Sequence, residues 1–491
     1  MTPDRYDLTP TLNISRVLTG LWQVADQEKD GDASDLDAAA EALVAYADAG
    51  FDTFDMADHY GSAELIAGRA LKKAPSARAF TKWCPEPGPM TPEIVRAGVQ
   101  DRLDRLGVDC VDLLQFHWWT FEHPAWLDAL HELTKLRAEG LIGEIGVTNF
   151  DAAHLLLALE EDIPVVSNQV SFSLIDRRAA GDLTKLCTER NVRLLAYGTL
   201  LGGFLSERWL DKPRPAVVAD WSGSKYLRFI DTAGGWDTFQ AVLTAASRIA
   251  KKHGVSLSNV ASRWVLEHAS VAGVIVGARL GENEHRADNA QLFSFALDAE
   301  DKARLETAFA KTTRIPGDCG DEYRQPPFLT ASGDLSHHLS EIPTTLEVVQ
   351  DAEVADRRRA FTGSKWEPIA GYCRAIRDGD RILVSGTTAT HGLDHTVAPG
   401  SAQAQATYIL DKIASAVTAL GGKPSDILRT RMYVRGEEDI MGASLAHGRF
   451  FGRTPPANTT FYAGGLVGDF RIEIEAEAVV CGGKSEASGE A

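Results

Sequence analysis

Residues 51–61 read FDTFDMADHYG, residues 79–83 AFTKW and residues 111–119 VDLLQFHWW. Each contains a short apolar run of strand character that ends in side chains able to hold or move a proton: Asp55 and Tyr60, then Lys82, then His117. A parallel barrel collects its chemistry at the C-terminal ends of successive strands, so polar residues that terminate apolar runs argue for that architecture. Outward from these three segments, strand-like runs alternate with helical periodicity from Arg16 to about Leu305. Eight strands are expected, at Arg16–Trp22, Thr53–Met56, Ala79–Trp83, Val111–His117, Glu144–Thr148, Val165–Gln169, Arg193–Tyr197 and Gly273–Gly277. Helical patterns such as Asp35–Ala49, Pro92–Leu106, Pro124–Glu139, Asp182–Arg190 and Thr238–His253 lie between them. Their number and order predict a (β/α)8 TIM barrel over residues 1–312. The competing doubly wound sheet calls for a G-x-G-x-x-G turn after an early strand, and none stands there.

The chain has 491 residues, more than one barrel uses. Residues 313–344, punctuated by Pro316, Gly317, Gly320, Pro326, Pro327 and Gly333, read as a barrel tail and linker. A strand pair around Ala375 and Ile382–Ser385, a helix over Ser401–Leu420, and strands at Arg429–Val434 and Arg471–Val480 predict a smaller α+β domain over 345–483. Residues 484–491 read as a disordered tail.

Composition is that of a folded enzyme, 44% hydrophobic and 24% charged, which excludes global disorder. The 69 acidic against 50 basic side chains leave a formal charge of -19, which disfavours a nucleic-acid partner. Six scattered cysteines form no C-x-x-C pair and read as reduced thiols. With neither a signal-peptide pattern nor a membrane-length apolar run, a cytoplasmic protein with no membrane partner is expected. His391 and His395 in THGLDH, and His337–His338, have no evident third ligand, so no metal is expected.

The four strand-end residues suit one reaction. A phenol, with a reference pKa of about 10, is a weak acid at neutral pH, and a nearby ammonium favours its ionised form. Lys82 supplies such a charge, Asp55 can hold the ammonium, and His117 can orient a carbonyl oxygen. Tyr60 is then the general acid of a carbonyl reduction. Singly, each residue has an ordinary structural explanation: a helix cap, a solvated lysine, a satisfied core histidine. Their joint occurrence at three successive strand ends is what points to chemistry.

This set resembles the aldo-keto reductase family, over nearly the whole first 310 or so residues: an Asp, a Tyr five positions later, then Lys and His at the next two strand ends. The resemblance implies a barrel that binds NADP(H), less often NAD(H), and a small-molecule carbonyl or alcohol substrate. It places Thr148 and Asn149 of GVTNF and Gln169 of SNQVSF around the nicotinamide carboxamide, and Tyr197 of LLAYGTL beneath the ring. In VIVGARLGENEHRADN it assigns Arg279 to an anion and Asp288 and Asn289 to the adenine end. Gly277 stands where many members have lysine, and the loop is about two residues longer than usual. Arg279 tips the expectation toward NADP(H). Trp22, Trp83, Trp118 and Trp119 are expected at the pocket mouth, with 203–236 and 313–330 as lids.

The second domain resembles the Rid family, also called endoribonuclease L-PSP-like, through GYCRAIRDGDRILVSG, a helix ending in LGG, TRMYV and RIEIEAEAV. That family implies trimers with ligand clefts between subunits, so a homo-oligomer, possibly trimeric, is expected. Tyr372, Ser385 and Glu473 fall on cleft positions. In PPANTTF, Asn458 replaces the arginine that holds a substrate carboxylate in the family's deaminases, which argues against imine hydrolysis and for assembly or another ligand. The alternatives to a reductase are a cofactor-binding, redox-sensing scaffold and imine or enamine hydrolysis by this second domain.

Overall fold

The computed structural model describes residues 2–28, 30–31, 34–282, 285–324 and 343–480. The expected tail 484–491 and the His337–His338 pair lie outside the described residues.

Eight parallel strands close into a barrel: β1 (Val17–Gly20), β2 (Thr53–Asp55), β3 (Arg78–Trp83), β4 (Val111–His117), β5 (Ile142–Thr148), β6 (Val165–Ser171), β7 (Arg193–Tyr197) and β8 (Val271–Gly277), with β8 pairing back to β1. The first strand is shorter than expected. After Gly20 the Leu21 amide donates to Asp55 O and the Val24 amide donates to Leu21 O, so Trp22 opens a helix, Trp22–Glu28, and does not extend the strand. Helix boundaries follow local chemistry. Over Pro92–Leu106, Thr91 caps with its side chain, Pro92 sits where its missing N–H costs nothing, and Gly107 takes the left-handed turn at φ 65°.

Side chains alternate across each strand, which separates two interiors. Outward residues such as Phe54, Trp83, Phe116 and Trp118 pack under the helices. Inward, Leu18, Phe80, Leu113 and Leu195 pack with Leu8, Leu12 and Ile14 from a leading hairpin (Arg5–Thr9 with Leu12–Ser15). Above that apolar layer the inward positions turn polar. Strand register aligns Lys82 with Gln115, His117 with Thr148, and Thr148 with Gln169.

The second domain is a seven-stranded sheet: β9 (Glu347–Gln350), β10 (Arg357–Phe361), β11 (Ala375–Asp378), β12 (Arg381–Thr388), β13 (Ile427–Val434), β14 (Ala457–Tyr462) and β15 (Ile472–Val479). Their order across the sheet is β9-β10-β11-β12-β15-β13-β14. Helix Ala402–Ala419, capped by the Ser401 side chain, packs on one face of the sheet and against Ala152–Glu160 of the barrel. Helix Asp439–Phe451 packs beside it. Strands β9 and β14 carry little alternating burial, and helix Asp439–Phe451 contains two glycines, so periodicity did not reveal them. No helix among the described residues is long and apolar enough to cross a membrane.

Candidate active site

Asp55, Lys82 and His117 rise from β2, β3 and β4 into one cavity of about 550 Å3, joined by Tyr60 from the loop after β2. Lys82 Nζ donates to Asp55 Oδ2 at 2.8 Å and to Met56 O at 2.8 Å, and both side chains of the ion pair are almost fully buried. Asp55 Oδ1 accepts from Gln115 Nε2 at 3.1 Å and from Gln169 Nε2 at 2.6 Å. Such complete satisfaction matters, because a buried charge with unmet hydrogen bonds is strongly destabilising. The Tyr60 ring lies with its centroid 5.0 Å from Lys82 Nζ, wedged at right angles between Trp22 and His59.

Burial pushes the Tyr60 phenol well above its ordinary value, and the Asp55 carboxylate adds to the effect. This reverses the direction expected from Lys82 alone. Asp55 neutralises the ammonium, and dehydration of a phenolate dominates. Tyr60 is therefore held as the neutral phenol. Burial, together with Arg324, His59, Lys82 and Lys225, drives His117 well below its ordinary value, so its imidazole is neutral. Burial also raises the Cys84 thiol, whose Sγ lies 3.7 Å from His117 Nδ1. An S–H donated to Nδ1 leaves the proton on Nε2, a buried atom with no partner among the described residues.

Thr148, Asn149, Gln169, Tyr197, Arg279, Asp288 and Asn289 all line the same cavity. Tyr197 OH donates to Asn149 Oδ1 at 2.9 Å, and Asn149 has a left-handed backbone at φ 57°. Arg279 is only partly free, being paired with Asp26 at 2.8 Å. Asp288 is held by Ser256 and Asn259.

Of the four tryptophans, Trp22 and Trp119 line the cavity, whereas Trp83 and Trp118 do not. Each follows an inward residue, Lys82 or His117, and alternation turns it outward. Trp83 packs against Phe116 and Gly98, and Trp118 stacks on Phe116 with its Nε1 donating to His123 O. Sequence reading did not single out Gln115, Cys84, Lys225, Glu322 or Tyr323. Gln115 could have been found, since it stands two residues before His117 and so faces the same side. Lys225, on helix Trp221–Thr232, and Tyr323, on the short helix Asp321–Arg324, come from within the segments expected as lids; the Lys225 ammonium donates to Tyr323 OH.

Residues 16–309 match the sequence profile of the Aldo/keto reductase family. The chain belongs to the aldo/keto reductase family. Residues 362–480 match the Endoribonuclease L-PSP profile, so the aldo/keto reductase barrel is fused to a Rid-type domain. The chain is similar to flagellar radial spoke protein 5 of Chlamydomonas reinhardtii, 32% identical over 177 residues, covering 32% of this chain and only 33% of that protein. It is similar to chloroplastic pyridoxal reductase of Arabidopsis thaliana, 24% identical, covering 60% of this chain and 84% of that protein. An NADH-specific methylglyoxal reductase of Escherichia coli is 23% identical, with 56% and 89% covered. Among solved structures, the glycerol dehydrogenase of Gluconobacter oxydans superposes with a TM-score of 0.53 at 25% identity, over 63% of this chain and 95% of that one.

In the Rid-type domain, Tyr372, Ser385 and Glu473 gather around Arg374. Arg374 Nη2 donates to Tyr372 OH at 3.3 Å and Arg374 Nη1 to Gly386 O at 2.6 Å, and Glu473 packs against Gly386. Asn458 is not with them. It bonds Thr430, which is registered with Ala476, whereas Tyr433 is registered with Glu473. Asn458 thus sits two strands over and about 10 Å along the sheet from Glu473. His391 and His395 face each other in a short hairpin and bond Asp128 and Glu161 of the barrel at 2.8 and 2.7 Å.

Proposed function

We propose that the barrel interconverts an aldehyde or ketone and the corresponding alcohol, using NADP(H) in preference to NAD(H). One observation carries the reading: Tyr60 and His117, whose buried Nε2 has no partner among the described residues, share a cavity with the buried Lys82–Asp55 pair. A bound nicotinamide supplies or accepts the hydride. His117 Nε2–H donates to the substrate oxygen and fixes the carbonyl plane. In reduction, Tyr60 gives its hydroxyl proton to that oxygen as the alcohol forms, and Lys82 stabilises the phenolate left behind. In oxidation the same proton returns.

The residues present fit the cofactor. The buried Thr148 hydroxyl has no protein partner among the described residues, as a carboxamide-binding group would. Gln169 commits its nitrogen to Asp55 and Gln115, leaving its oxygen as an acceptor. Tyr197 offers a flat ring for stacking. Arg279 is the 2′-phosphate partner, and phosphate competes with Asp26 for it. The relatives named for pyridoxal, methylglyoxal and glycerol agree with a small carbonyl or alcohol substrate.

The test is Tyr60→Phe assayed with 4-nitrobenzaldehyde and NADPH. Turnover falls on the order of 10^3-fold while nicotinamide fluorescence still reports cofactor binding; an unchanged rate removes Tyr60 from the mechanism. Arg279→Ala lowers kcat/KM with NADPH more than with NADH, and an equal loss with both rules out NADP(H) selection by Arg279.

We further infer that the Rid-type domain assembles the chain into a homo-oligomer, a trimer by family resemblance. Its outward sheet face leaves Leu383 and Phe461 exposed, and one chain does not bring Asn458 to the other cleft residues. Light scattering of the full chain at micromolar concentration shows several copies; a monomer overturns this.

A further inference from the structure

Tyr323 roofs the cavity. Its ring meets His117 and Trp119 edge-on, at centroid distances of 5.5 and 5.7 Å. It belongs to a short segment, 318–324, that crosses the mouth of the barrel with little regular structure of its own, so its position depends on what grips it. Several grips come from the barrel: the Lys225 ammonium donates to Tyr323 OH, Arg178 Nη1 donates to Asp318 O at 2.7 Å, and further bonds hold the segment's second half. Arg324 Nη1 and Nη2 donate to Asn149 O at 2.7 Å and Trp118 O at 2.9 Å, and Arg178 Nη1 binds Glu322 at 2.8 Å. Gly320, at φ +91°, lies so close to Asn149 that a Cβ there would come within 2.2 Å of its carbonyl oxygen. The roof therefore rests on the backbone of a residue assigned to the cofactor.

A further grip comes from the other domain. Arg449, on helix Asp439–Phe451, donates through Nε to Asp318 Oδ2 at 2.8 Å and pairs through Nη2 with Asp151 Oδ2 at 2.6 Å. Asp318 is the first residue of the roof segment. Asp151 stands two residues after Asn149 and caps helix Ala152–Glu160 by accepting from the Ala153 and His154 amides at 2.9 and 3.0 Å. His154 bridges the domains too, between Asp151 at 2.6 Å and Asp411 of the second domain at 2.9 Å. Its ring stacks on Phe121 at 3.5 Å, and the guanidinium of Arg324 lies over that same phenyl ring at 4.3 Å. Burial disfavours the His154 cation, but the Asp151 and Asp411 carboxylates outweigh it and raise the ring above the ordinary histidine value. A continuous set of packed and ion-paired groups thus runs from two residues of the second domain to both ends of the roof.

We propose that the second domain positions the roof of the barrel's site, with Arg449 as the positioning residue that ties Asp318 to Asp151 and so keeps Tyr323 over His117. This rests on the reading of that cavity as a carbonyl-reducing site. The aldehyde pocket, on this account, is complete only when the two domains are docked. A single-domain barrel of the same sequence would lack the Arg449 guanidinium that joins Asp151 to Asp318.

The experiment uses the full chain, 4-nitrobenzaldehyde and NADPH, with Arg449→Met as the variant. KM for the aldehyde rises about tenfold, kcat changes less than KM does, and Arg449→Lys recovers part of the loss. Independently of turnover, amide hydrogens of residues 318–324 exchange about tenfold faster in Arg449→Met. His395→Ala cuts a contact to Glu161 at the far end of helix Ala152–Glu160 and leaves both readings as in the unmutated chain. Should Arg449→Met not fold, Asp318→Ala removes the same bond from the barrel side. Unchanged KM and exchange in Arg449→Met, or an equal rise in His395→Ala, overturns the proposal. An unmutated chain that binds cofactor without turnover breaks the reductase reading instead, and the exchange measurement then still decides whether Arg449 holds the roof.

Discussion

In the barrel, Asp55, Lys82 and His117 leave three adjacent strands and point into one closed interior, where every charge finds a partner within 3 Å or faces the cavity. In the second domain, Ser385 and Glu473 lie on an open sheet with Tyr372 in the loop before β11, and Asn458 is two strands from Glu473 on an edge strand. Both regions hold polar residues at positions their families use. The difference is closure. A barrel turns the ends of eight strands toward one axis, so residues far apart in sequence meet without help from another chain. An open sheet spreads its strand ends along a line, and a site built on it needs a second surface to face it.

The sharpest way to break this contrast is Lys82→Met. Removing the ammonium leaves Asp55 buried and uncompensated, so denaturant unfolding should show a loss of about 3–5 kcal/mol, along with lost turnover. A loss below about 1 kcal/mol, in the range of exposed pairs, would mean that the pair is hydrated and the interior not closed.

A smaller effect is expected from the second domain's own buried cation. Burial lowers Lys412 from 10.5 to about 7, although its ammonium reaches the Thr388 and Thr390 carbonyls. The folded domain thus holds that proton less tightly than the unfolded chain, and unfolding takes up a proton between about pH 7 and 10.5. Stability contributed through Lys412 is lowest below pH 7 and rises with pH across that window. Urea midpoints at pH 7 and 9 should therefore show a slope that Lys412→Met flattens; an identical slope in the variant rules Lys412 out as its source.

The least effect is expected at Asn458. It is exposed, its amide donates to the Thr430 hydroxyl and accepts from the Thr460 hydroxyl, and Asn458→Ala should shift stability by less than about 0.5 kcal/mol without altering carbonyl turnover. A larger change would place Asn458 in a working site and weaken the contrast drawn here.

The barrel was legible because its pattern is local. Short apolar runs with polar ends announce strands that deliver side chains to one rim, and Asp55, Tyr60, Lys82 and His117 follow from that pattern alone. Trp83 and Trp118 show where local reading falters: both sit beside the cavity-lining Lys82 and His117, yet strand alternation turns them into the helix layer. Tyr323 shows the converse. Its segment could be read as a lid, but nothing nearby in sequence says which lid residue reaches His117.

Residue types and periodicity determined the barrel, the polar residues that end its strands at the rim and the presence of a second domain, since each depends on neighbours within a few positions along the chain. Tertiary structure alone decided the direction of the Tyr60 shift, which burial and the Asp55 carboxylate drive upward. It alone placed Tyr323 as the roof, and Arg449, more than 120 residues away, as its tether. Burial and long-range charge pairing depend on which distant segments come together, and no local pattern in the chain records that.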